Sequence, residues 1–177
     1  MEYWIVYDLA TGEELHAGSG TPGTAAMQLL EPGTGLLLVP QAVVVTMPRD
    51  LVALRAALAA RVGAEAEQFC LQFVTPGMTK SMRYTRKEAE ALAWQADNTN
   101  VGPLLAREAQ DCGIDVAKVV ADCLSNAHPM ITVGAFAEAR EMKVKRALAA
   151  AQTFGEIVLA SDADWPGLLA ELQAALA

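Results

Sequence analysis

Few residues in this chain are of types that do chemistry, and they are scattered. His16 and His128 are the only histidines, and Cys70, Cys112 and Cys123 the only cysteines. Either histidine has the chemistry of a proton shuttle near neutral pH. Cys123 and His128 are separated by "LSNA", which carries no glycine elbow and matches no nucleophile–base spacing. Cys112 follows Asp111, which reads as a thiol beside a solvated acid. The cysteine count is odd and its spacing fits neither a metal site nor a disulfide framework, so buried free thiols in a reducing compartment are expected. Carboxylates pair at Glu13/Glu14, in a turn, and at Asp162/Asp164, ahead of a proline-started helix that the second pair favours through its dipole. No cleft or loop pattern supports glycosidase or calcium chemistry around them. "GSGTPG", Gly18 to Gly23, is glycine-rich but lacks the lysine of a phosphate loop and opens no clear helix. No catalytic, cofactor-binding or metal-binding residues are assigned, and a non-enzymatic protein is expected. The rival enzyme reading rests on His16 or His128 alone.

The charge distribution narrows the partners. The chain has 177 residues and a net charge of −8, which argues against nucleic acid as the main partner. The first 48 residues hold Glu2, Asp8, Glu13, Glu14 and Glu31 but no Lys or Arg. Basic residues gather later, at Lys80, Arg83, Arg86 and Lys87, and again at Arg140, Lys143, Lys145 and Arg146. Acidic and basic parts are suited to attract one another within or between chains, or else form solvated helix faces. The apolar runs are too short to span a bilayer, and Met1 leads into a strand-like run with no signal peptide expected.

The elements that position these residues fall into two regions. "YWIVYDLATGEELHAGSG" reads as a β-hairpin with its turn at Ala10-Thr11-Gly12. "MQLLEPGTGLLLVPQAVVVTMP" holds apolar runs broken by Pro32-Gly33 and Pro40, with Val43 to Thr46 a strand by its β-branched content. Residues 1–48 are therefore expected to form a small β-rich docking unit, too short to bury much surface alone. Residues 49–177 are expected to be α-helical, with roughly six helices joined by short links, giving an α+β chain.

In the helical region Asp50 caps a helix running to about Val74, with Leu51, Leu54, Leu58, Val62, Phe69 and Phe73 on one stripe. Pro76-Gly77 breaks it as an elbow. The next helix starts at Thr85, with Glu88 at capping-box spacing, and ends near Ala96. There Arg86 and Lys87 are spaced to pair with Glu90, and Tyr84 to staple the helix start. Pro103 opens a short helix ending near Gly113. Asp115 caps another to about Ala127, broken at His128-Pro129. Thr132 caps a long helix to about Phe154, stopped near Gly155, and Pro166 opens the last. Trp4, Trp94 and Trp165, with Tyr84, are packing anchors or, in the rival reading, protein-contact residues, because tryptophan is enriched at such contacts.

The order of these segments carries a resemblance: the hairpin, "MQLLEPGTGLLLVP", a helix, "TPG", "YTRKEAEALAW", "PLLAREAQDCGIDVAKVVADCL", "AFAEAREMKVKRALAAAQT" and a final tryptophan. It resembles the small tail-associated proteins of bacteriophages and prophages, of tail-fibre or tail-fibre-assembly type. In those a PG-containing linker precedes a Y-x-x-K-x-x-EA helix, here Tyr84, Lys87, Glu90 and Ala91. The likeness covers most of the chain beyond residue 50 and, more loosely, the hairpin. It implies a virion component of the tail tip or fibre, made in the host cytoplasm, that binds other tail or fibre proteins or forms homo-oligomers. The second implied role is a fibre-assembly chaperone absent from the finished particle. It implies no catalytic residues; no cofactor, and neither nucleic acid nor membrane as partner, is expected.

Overall fold

The computed structural model describes residues 1–73 and 78–176. The expected elbow at Pro76-Gly77 lies outside the described residues. The fold is α+β. Strands β1 (Glu2–Asp8), β2 (Glu14–Gly20) and β3 (Thr34–Leu38) form one antiparallel sheet in the order β2-β1-β3. A short helix α1 (Gln41–Val45) follows, then α2 (Leu51–Leu71), α3 (Met78–Ala96), α4 (Pro103–Cys112), α5 (Val116–Ala150), α6 (Phe154–Ala160) and α7 (Trp165–Leu176).

Two compact units result. One comprises Met1–Gln68 with Glu138–Leu168, the other Phe69–Ala137 with Leu169–Ala177. Residues 1–48 thus share a unit with helical segments, where the expected division fell at residue 48. The reason is the sheet's apolar face. Ile5 and Leu37 are buried in one cluster with Leu54, Leu58 and Val62 of α2, Val144 and Leu148 of α5, and Ile157 and Val158 of α6. Three strands have too little surface to close a core by themselves, so the helices supply the second layer.

Alternation along β1 sends Trp4 and Val6 to the opposite face, where they pack with Ala25 and Leu36. Two glycines make this sheet possible. Gly18 lies opposite Trp4 and Gly35 opposite Tyr7. A Cβ at either position would come within 2.6 Å of the facing aromatic ring. The rings lie over strand backbone that glycine leaves bare, which offsets the weakness of glycine in a strand.

The hairpin turn is built on the Asp8 carboxylate. Its Oδ1 accepts from the Ala10 and Thr11 amides and the Thr11 hydroxyl, which holds its pKa below the usual range. Gly12 has φ of +73° and its Cα faces the backbone of Gly155 in α6. Glu14 then anchors the hairpin to the rest of its unit. Arg49 donates to both carboxylate oxygens, Nε to Oε2 at 2.8 Å and Nη2 to Oε1 at 2.6 Å. Its other terminal nitrogen donates to the carbonyls of Val44 and Thr46.

The fork from Arg49 lowers the Glu14 pKa, and the Arg49 pKa is raised in return. A depressed carboxyl pKa contributes stability present above the unfolded value, about 4.3, and lost as pH falls through the folded one. Arg49→Met is expected to cost about 1–3 kcal/mol at pH 7. That gap should narrow as urea midpoints are followed from pH 6 to pH 3. A gap that widens over the same range would refute the pairing.

Arginines also close the helix connections in this unit. Arg55 of α2 donates to the Ala151 carbonyl at 2.9 Å, just past α5. Arg61 donates to the carbonyl and hydroxyl of Ser161 after α6. Arg140 donates to the carbonyls of Ala163 and Asp164. Each serves carbonyls at a helix end or turn, although the Asp164 carbonyl also accepts from the Leu168 amide.

Several elements depart from the sequence expectation. Val43 to Thr46 was expected as a strand, but Val43 lies in α1, fully buried, and tertiary packing outweighs its β-branched preference. The helix expected to start at Thr85 already runs from Met78, and the Thr85 hydroxyl donates to the Ser81 carbonyl one turn back. No break occurs at His128-Pro129: α5 passes through Pro129, and Thr132 bonds back to the His128 carbonyl instead of capping. Buried side chains on both sides, Val119 and Val120 before and Val133 and Ala137 after, hold the helix across the proline. Gly155 lies inside α6, whose true start is a capping box between Thr153 and Glu156. Other expectations match the structure. Asp50 accepts from the Val52 and Ala53 amides, Asp115 from the Ala117 amide, and Gly113 ends α4 with φ of +65°.

Candidate protein-contact site on helix α3

Helix α3 is built by two kinds of residue on different sides. On one side Ala91 is buried with Leu105, Ala109, Val119 and Val120, and Trp94 packs against that cluster. Lys87 forms an ion pair with Glu108 of α4 at 2.5 Å, where pairing with Glu90 was expected. Glu90 is engaged differently. Its Oε2 accepts from the Leu104 amide at 2.8 Å and the Leu105 amide at 3.3 Å, so its carboxylate serves the start of α4. A negative group there meets both the free amides and the positive end of the helix dipole. Gly102 leaves the room for this, because a Cβ at that position would run into the Glu90 carboxylate. The second oxygen, Oε1, is buried without a hydrogen bond, with Arg86 Nε at 3.6 Å.

A shallow cleft of about 390 Å³ lies here, lined by residues that include Arg86, Glu90, Asn100 and Pro103. Its one acid, the half-buried Glu90, is committed to the amides of α4, so it serves as the joint between two helices.

The other side of α3 is open. Met82, Arg83, Tyr84, Thr85 and Arg86 are consecutive and all exposed. Five in a row cover more than one full helical turn, and none of the five is buried. Met82 is 67% and Tyr84 54% exposed. Tyr84 therefore does not staple the helix start.

The other contact candidates sit elsewhere. Trp4 is buried on the sheet. Trp165 packs on the main core of its unit, and its indole N–H donates to Glu65 at 3.0 Å. Trp94, ten residues beyond Tyr84 on α3, is half-buried. The structure thus spreads the four aromatics over separate environments and leaves Tyr84 the most exposed. The arginine anchors on helix-end carbonyls and the Glu90 cap were missed at the sequence level. "TFGE" at Thr153 to Glu156 was the local signal for one further cap.

The chemical candidates are also apart. His16 is exposed on β2, and His128 lies within α5. Glu14 is held by Arg49. Asp164, at φ of 43°, accepts from the Gly167 amide and so caps α7 as the dipole argument expected. None of the cysteines is fully buried, in contrast to the expectation, and Cys112 is exposed. Partial burial pushes the Cys123 thiol pKa up, which makes it a poorer nucleophile at neutral pH. Among the described residues no group of three or more His, Cys, Asp or Glu side chains is placed to hold a metal ion. No helix among them is long and apolar enough to cross a membrane.

No protein-family model, no curated protein and no solved structure matches this chain.

Proposed function

We propose that this chain is a non-enzymatic bacteriophage tail protein, a virion component of the tail tip or fibre region that binds other tail proteins. The observation that carries the reading is the division of labour within Tyr84-x-x-Lys87-x-x-Glu90-Ala91. Lys87, Glu90 and Ala91 are engaged with α4 and its core, through an ion pair, a helix cap and burial. Tyr84 and its neighbour Met82 stand exposed on the preceding part of the same helix. A tyrosine and a methionine flanked by arginines have the composition of protein contacts, where aromatic residues, Met and Arg are enriched.

Mass spectrometry of purified phage particles tests the proposal. The chain is expected among the virion proteins in stoichiometric amount. Its absence from particles, with fibre proteins that turn insoluble when it is deleted, would establish the assembly-chaperone role instead.

A further inference from the structure

The sheet has two edges, and they are not equivalent. On β2 the edge carries a charged pair, Glu14 with Arg49, and lies beside an irregularity in the ladder between Val6 and Tyr7. Charges and bulges are the features by which a sheet edge is kept from pairing. On β3 the sequence is Thr-Gly-Leu-Leu-Leu, with neither charge nor proline and in regular register with β1.

The ladder's parity says which groups that edge presents. The Val39 amide donates to the Tyr3 carbonyl at 3.0 Å, and the Leu9 amide to the Gly33 carbonyl at 2.9 Å. Odd-numbered residues of β3 therefore bond to β1. The N–H and C=O groups of Leu36 and Leu38 point the other way, off the sheet. Leu38 is also 55% exposed and lines a cleft of about 410 Å³ with residues that include Met1, Glu2, Tyr3 and Pro40.

One end of this uncharged edge is acidic: Glu31 is exposed in the turn that leads into β3. At the far end Glu2 also lines the cleft, but its carboxylate accepts from the Ala25 amide and stands near the Met1 ammonium. Two copies of this edge would bring acids to a chain already at −8, whereas a strand with a basic end meets complementary charge at Glu31.

We infer that the outer edge of β3 accepts an extended segment of a partner protein, uncharged at its centre and basic at the end that meets Glu31, which adds a fourth strand through the main chain of Leu36 and Leu38. This rests on the protein-binding reading above and names the chemistry of the partner.

The test uses a synthetic peptide of alternating threonine and valine with two lysines at each end, and its counterpart with glutamates at the ends. Amide exchange of the full chain is followed by NMR. The lysine peptide is expected to slow exchange at Leu36 and Leu38 at least about tenfold at saturation. The glutamate peptide is expected to bind at least about tenfold more weakly, and Glu31→Lys to reduce that preference. Leu38→Pro, which removes an outward donor only, should keep the fold by circular dichroism and lose the peptide. Equal binding of both peptides, or no protection at Leu36 and Leu38, overturns the inference. So does protection of those amides by dimerisation without peptide. A chain found in virions that ignores the lysine peptide would lose this inference while keeping its tail assignment.

Discussion

Gly12→Val should destabilise the protein by about 3 kcal/mol or more, a large effect for a single turn residue. Two separate penalties add. Valine at φ of +73° is forced into the left-handed region, which its branched Cβ resists. The same Cβ would also lie within 2.9 Å of Gly155 Cα and closer still to the Gly155 carbonyl oxygen. Backbone on the far side cannot swing away as a flexible side chain does. Gly113→Val separates the two effects. It has a similar φ, +65°, with nothing within 4 Å of the added Cβ, so it carries the conformational penalty alone, about 1–2 kcal/mol. Urea titration of both variants is the measurement. Equal losses would show that the approach of the hairpin turn to α6 contributes nothing to stability.

Pro129→Ala should act in the opposite direction. A proline inside a helix lacks the N–H that would bond to the carbonyl of Ser125, and its ring crowds that carbonyl; the penalty is about 3 kcal/mol. Alanine restores the hydrogen bond, offset by about 0.4–1 kcal/mol because the unfolded chain becomes freer. The expected net gain is about 2 kcal/mol, read as a higher urea midpoint at unchanged slope. A loss of stability would mean that neighbouring packing requires the proline's distortion of α5.

These two positions also show what can be read along a chain and what cannot. The stripe Leu54, Leu58 and Val62 was legible because helical burial has a period, and all three lie in the main core. Asp50, Asp115 and Gly113 were legible because capping is a local bond over two or three residues. Pro129 carried a strong local signal for a break, which burial on both sides overrode. Val43 failed for the same reason, with packing deciding between helix and strand. Glu90 was beyond local reading, since the amides it serves follow a loop in α4, and only the folded chain brings them together. The approach of Gly12 to Gly155 is more distant still. As for the contact candidates, an aromatic residue's identity says nothing of its exposure: Trp4 is buried where Tyr84 is open.

The discontinuous make-up of the first compact unit has a consequence for the order in which the protein can form on the ribosome. Ile5 and Leu37 are synthesised well before their core partners Val144, Leu148 and Ile157. At about 5–20 residues per second the sheet waits several seconds or more after α2 is made before its apolar face can be fully covered. The second unit takes its cluster from Ala91 to Val120, close together in sequence, and that cluster closes sooner. A chain truncated before α5 would lack Val144, Leu148 and Ile157 and leave the sheet's apolar face only partly covered, with an uncharged edge at β3. Stalled or truncated products should therefore aggregate through the sheet, although it is made before the helices that cover it.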